Sequence, residues 1–120
     1  EQLLIPEFMS ALKTASSFLQ ARGPQALPRV ADLLVTTAWD FFEHYPDIDL
    51  TFVRFQKIAA SLLGRHDLNH TMPIWDQWIT ARDEALERLV ATQYPVDSHA
   101  RMQSLHALTR ILDAWFPPPL

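Results

Sequence analysis

The sequence predicts an all-α fold, an antiparallel helical bundle of about five helices. Three observations lead there. Apolar residues recur at three-and-four spacing in five separate runs. The nine prolines stand between those runs or at the chain end. Only two glycines occur, Gly23 and Gly64, fewer than the turns of a β-rich chain of this length ask for.

The first run covers roughly residues 6–22, with Ile5, Phe8, Leu12, Ala15 and Leu19 on one face and Gly23-Pro24 as its stop. The second covers roughly residues 28–44, with Pro28 suited to a first helical turn. Its stripe of Val30, Leu34, Thr37, Ala38 and Phe41 is widened by Val35, Trp39 and Phe42. So wide an apolar arc predicts a central helix. The third covers roughly residues 48–63, with Phe52, Phe55, Ile58, Ala59 and Leu62 on one face and Gly64 as cap. The polar stretch 65–72 reads as a loop.

The fourth run is the longest, residues 73–94, PIWDQWITARDEALERLVATQY. Trp75, Trp78, Ile79, Ala85, Leu86, Leu89 and Val90 share a face. Glu84 and Arg88 are spaced for an ion pair one turn apart. Arg82 interrupts the apolar stripe. A guanidinium there needs water at its head, a carboxylate such as Asp40, Asp76 or Asp113, or an acidic group on a ligand. The fifth run, roughly residues 97–115, is capped by Asp97 or Ser98 and carries Leu105, Leu108, Ile111, Leu112 and Trp115. The short link around Pro95 predicts that the last two helices pack as a hairpin.

The chain of 120 residues is read as one domain; 48% of them are hydrophobic and 20% charged, as in a folded globule. A net charge of −4 argues against a grip on a nucleic-acid backbone. The absence of cysteine removes disulfides and thiolate metal sites. No apolar run is long enough to span a bilayer, and no signal peptide is visible. The chain begins without methionine and inside a helical pattern, and is read as a piece of a longer protein or one whose beginning has been removed.

Candidates for chemistry are few. His66-Asp67-Leu68-Asn69-His70 imitates the H-E-x-x-H zinc pattern, but with the shorter acid and in a loop context; a solvated loop is favoured over a metal enzyme. His44 lies four residues after Asp40. A helix C-terminal histidine favoured by the dipole is preferred there over a general-base pair. His99 and His106 fall on the polar face of the last helix. No nucleophile elbow or glycine-rich phosphate loop is present. The sequence is read as non-enzymatic, with no cofactor.

The segment Leu33 to Arg54, LLVTTAWDFFEHYPDIDLTFVR, resembles the second ligand-domain helix of the TetR family of transcriptional regulators and the break after it. Ala81 to Gln93, ARDEALERLVATQ, resembles that family's long penultimate helix, and Ser104 to Phe116, SLHALTRILDAWF, its last. The resemblance implies the C-terminal effector-binding and dimerisation domain of a cytoplasmic repressor. DNA would be met only through an N-terminal helix-turn-helix domain absent from this chain. A small, mostly apolar effector is expected among Phe8, Leu12, Trp39, Phe42, Phe55, Trp75 and Trp78, with Arg82 beside it. A homodimer is expected through Ala85, Leu89, Leu105, Leu108 and Leu112. The rival from another class is a helical protein-interaction module with a solid core and no ligand.

Overall fold

Where the apolar pattern has helical period, a helix forms, and prolines and Gly23 set where helices begin and end. A computed structural model describes residues 4–63 and 72–118. Helix α1 spans Leu4–Arg22. Gly23 ends it in the left-handed region, φ +60°, which a residue without a side chain adopts freely. A 3-10 turn, Gly23–Ala26, leads directly into α2, Leu27–His44, whose Pro28 sits in the first turn where no donor is needed. Then come α3, Val53–Leu63, α4, Met72–Gln93, and α5, Ser98–Trp115. Asp97 caps α5 by accepting the Ala100 N–H at 3.0 Å. The fold is all-α. The histidine pair His66 and His70 and the cap expected at Gly64 lie outside the described residues.

Helix α3 begins at Val53, five residues later than its apolar pattern predicts. Two interactions hold the preceding residues out of the helix. Asp49 Oδ1 accepts both the Thr51 N–H, at 2.9 Å, and the Thr51 Oγ1–H, at 2.6 Å, closing an Asx turn. From α5, Trp115 Nε1–H donates to the Leu50 carbonyl at 2.7 Å. Phe52, expected on the buried stripe, is therefore 52% exposed, and the inward positions of α3 are Phe55, Ala59 and Leu63.

Helix α2 is central, as its wide apolar arc predicts. It packs against α1, α4 and α5, and buries Leu27, Val30, Ala31, Leu34, Val35, Ala38, Trp39 and Phe41. Helices α4 and α5, linked through residues 94–97, pack on one another. The densest part of the core surrounds Trp115. Its ring centroid lies 4.6 Å from Phe8, 6.2 Å from Phe41, 6.2 Å from Phe55 and 6.4 Å from Phe116. Tilted, edge-on and stacked pairs at such spacing add to the gain from burial alone. No described helix is long and apolar enough to cross a membrane.

Trp115→Phe keeps an aromatic ring but removes the donor to Leu50 and leaves a small void. Unfolding in urea is expected to show a loss of roughly 2–4 kcal/mol, from a buried carbonyl left unpaired plus lost contacts. A loss under about 0.5 kcal/mol, the range of neutral surface changes, would remove this bond from a structural role.

The Asx turn gives a second expectation. The Thr51 hydroxyl, seconded by the Thr51 N–H and by the charge of Arg110, holds the exposed Asp49 carboxyl below the ordinary aspartate range. A depressed folded value means stability that is present above the unfolded pKa and lost as pH falls through the folded one. Thr51→Val is expected to raise the Asp49 pKa, followed by carboxyl NMR, and to flatten the acid limb of the stability profile. An unchanged titration would mean that the hydroxyl bond is not its cause.

Candidate functional site

The residues expected to line an interior cavity are, apart from the half-buried Phe42, buried in the core. Phe8, Leu12 and Trp78 leave no surface that water reaches, and Phe55 only 1%. Phe8 contacts Phe41, Phe55 and Trp115 in the aromatic cluster. Trp78 joins that cluster edge-on through Phe116, at 5.6 Å. Trp39 and Phe42 belong to a second group, where Tyr94 meets Trp39 edge-on at 6.0 Å. Trp75 is buried as well. Helical spacing correctly marks all of these as inward-facing. It does not reveal which rings meet across helices. The Trp78 Nε1–H is buried with no hydrogen-bond partner among the described residues.

The expected dimer surface is likewise redrawn. Ala85, Leu108 and Leu112 lie inside this chain's own core, because α2 packs on both α4 and α5 and α3 packs on α5. Leu89 and Leu105 are only partly buried.

Arg82 is 6% exposed and pairs inside the bundle. Its Nη1 donates to Asp113 Oδ1 on α5, and its Nε and Nη2 donate to Asp83 Oδ1 at 3.1 and 2.9 Å. Asp113 is one of the three partners the sequence offered. The guanidinium fork is thus engaged by the chain's own carboxylates, one of the settings the sequence leaves open for it. Arg88 bridges to Asp32 on α2 at 2.8 Å rather than to Glu84. His44 Nδ1 lies 2.9 Å from the Asp40 backbone carbonyl, a helix-end contact and not a carboxylate–imidazole pair.

The two carboxylates around Arg82 are half exposed, 54% and 51%, whereas the guanidinium is not. The asymmetry predicts unequal costs. Arg82→Met frees two carboxylates that water already solvates, so it is expected to shift stability by about 1 kcal/mol or less. The double substitution Asp83→Asn with Asp113→Asn leaves a buried cation with neutral partners and is expected to cost about 2–4 kcal/mol. Equal costs in urea unfolding would mean that the pair acts as an ordinary surface bridge.

Among the described residues, a groove of about 440 Å³ lies between the 3-10 turn with the start of α2 on one side and α4 on the other. Pro24, Leu27, Pro28 and Ala81 supply apolar walls; Gln25, Asp76, Gln77, Thr80 and Glu84 supply polar ones. Asp76, Thr80 and Glu84 are four apart, so they form one ridge along two turns of α4. Thr80 spends its hydroxyl on the Asp76 backbone carbonyl, at 3.1 Å. Neither Asp76 nor Glu84 is in an ion pair among the described residues, and no lysine, arginine or histidine lines the groove. A second groove, about 430 Å³, follows the α2–α4 seam over Val35, Trp39, Ala85 and Leu89, with the Arg88–Asp32 bridge at its rim. Trp39 is the one expected ligand residue that either groove includes. Sequence reasoning misses the first groove because its halves are some fifty residues apart and only the packing of α2 on α4 joins them. The signal available was the Asp76, Thr80, Glu84 ridge.

Among the described residues, no group of three or more histidines and carboxylates is placed to hold a metal ion. Comparison with family models, with curated proteins and with solved structures finds no match to this chain.

Proposed function

We propose that this chain is the effector-sensing and dimerisation domain of a TetR-like transcriptional regulator, acting without catalysis. The groove between the 3-10 turn and α4 carries the reading. A small molecule seated there touches the α1–α2 half and the α4–α5 hairpin at once. It therefore stabilises one relative placement of the two over another, which is what an effector must do to change a distant DNA-reading domain. The paired long α4 and α5, and the resemblances at residues 33–54, 81–93 and 104–116, support the family assignment. We place the effector seat in this groove rather than among the core rings, whose surface water does not reach. Leu89 and Leu105 are the residues of the expected interface that still have surface to give a second subunit.

One observation favours the rival reading of a protein-interaction module. Phe52 and Val53 stand about half exposed side by side at the start of α3, as anchors for a partner would.

The groove reading is tested with the neutral apolar dye Nile red. Saturable binding is expected, with thermal stabilisation that grows with dye concentration. Gln77→Trp, an exposed position whose larger side chain occupies the groove, is expected to weaken binding at least tenfold while the far-UV circular dichroism stays unchanged. Dye binding that is indifferent to Gln77→Trp would place the ligand elsewhere.

A further inference from the structure

Helix α3 starts later than its apolar pattern calls for. We infer that α3 has two starts, Val53 and Leu50, and that the Trp115 indole selects between them. None of the residues concerned lines the groove, so this switch stands or falls apart from the groove reading.

Much of the longer helix is already in place. Asp49 Oδ1 accepts the Thr51 N–H, the bond that a capping residue makes to the second residue of a helix. The Phe52 N–H donates to the Asp49 carbonyl at 3.3 Å, and the Phe55 N–H to the Phe52 carbonyl at 3.0 Å. These are two successive turns of 3-10 type. The helix fails to continue at Leu50. In an α-helix that begins there, the Leu50 carbonyl accepts the N–H of Arg54, four residues on. In the structure it accepts the Trp115 Nε1–H from α5 instead, at 2.7 Å.

The two starts exchange one apolar side chain for another. Leu50 is 4% exposed and Phe52 52%. Residues two apart on an α-helix point about 200° from each other, so a helix that includes both turns only one of them inward. The inward positions Ala59 and Leu63 lie seven and eleven residues after Phe52. On a continued helix that spacing sets Phe52 within about 20° of each. The longer helix therefore turns Phe52 in and Leu50 out. Trading a buried Leu for a buried Phe changes the apolar burial little, and the indole tips the balance. Its N–H would be left unpaired in the core by the longer helix, so the shorter one is favoured while Trp115 keeps its place. Drawing the end of α5 outward removes that penalty, lengthens α3 and withdraws Phe52 from the surface. By the same coupling, a partner that holds Phe52 at the surface keeps Trp115 in the core.

The experiment reads backbone NMR shifts of residues 50–52 in variants. Trp115→Phe keeps a ring in the core but has no donor. The Cα shifts of residues 50–52 are expected to move to helical values, with new NOEs from the Phe52 ring to the methyl groups of Ala59 and Leu63. The Leu50 carbonyl regains a partner in this way, so the stability loss is expected at the lower end of the range given for this variant. Leu50→Gln leaves Trp115 in place and disfavours the shorter helix by setting an amide in the core. It is expected to move the same shifts in the same direction. Phe52→Ser is expected to change little in the wild type, where the ring is half exposed. Added to Trp115→Phe, it is expected to restore the non-helical shifts and to cost more than the sum of the two single changes. A folded Trp115→Phe that keeps the wild-type shifts overturns the switch, and so do strictly additive costs. Should Trp115→Phe not fold, wild-type shifts in Leu50→Gln overturn it in the same way.

Discussion

One hydrogen bond shapes much of this molecule. The Trp115 indole enters the core at the end of α5, and its one donor must find an acceptor there or remain unpaired at a cost of about 1–3 kcal/mol. It finds the carbonyl of Leu50, sixty-five positions earlier. That carbonyl is free because Asp49 and Thr51 fold the chain into a turn instead of a helix. The start of α3, the exposure of Phe52 and the ring packing of Phe8, Phe41 and Phe55 are consistent with this one requirement. The end of the chain's last helix is thereby tied to the α2–α3 connection.

Charged residues make the remaining long-range ties, and they do so between helices. Arg82 joins α4 to α5 through Asp113; Arg88 joins α4 to α2 through Asp32. The two are not equivalent. The Arg88 bridge is exposed on both sides and stabilises little. Arg82 sits where an apolar residue would pack, so its carboxylates serve chiefly to make a buried cation tolerable. Such a contact is better suited to fixing the register of α4 on α5 than to adding stability. Register in turn sets which residues of α4 face the turn at Pro24.

A core filled by aromatic rings and a groove lined by small and polar residues divide the work of the molecule. The groove, shallow and lying at the seam between the α1–α2 half and the α4–α5 hairpin, is where a ligand meets both with little rearrangement.

Helix number, order and, except in α3, inward faces were legible from the sequence, because each is a local property written in the period of apolar residues. The runs containing Phe8, Val30, Trp78 and Leu108 read correctly for that reason, and so did the central place of α2. Partner choice was not legible. Arg88 was within reach of Glu84 on its own helix and bonds Asp32 on another; Arg82 had three possible acids and bonds Asp113 and also its neighbour Asp83. The true start of α3 depended on an indole donor from the far end of the chain. Whether Phe8, Leu12, Phe55 and Trp78 enclose a void or close on one another depends on the relative shift of whole helices, which no single helix encodes. The site follows the same rule: the sequence by itself determined an acidic ridge on α4, and only the tertiary structure decided that an apolar turn from near Pro24 lies across from it, since that distance is set by helix-on-helix packing.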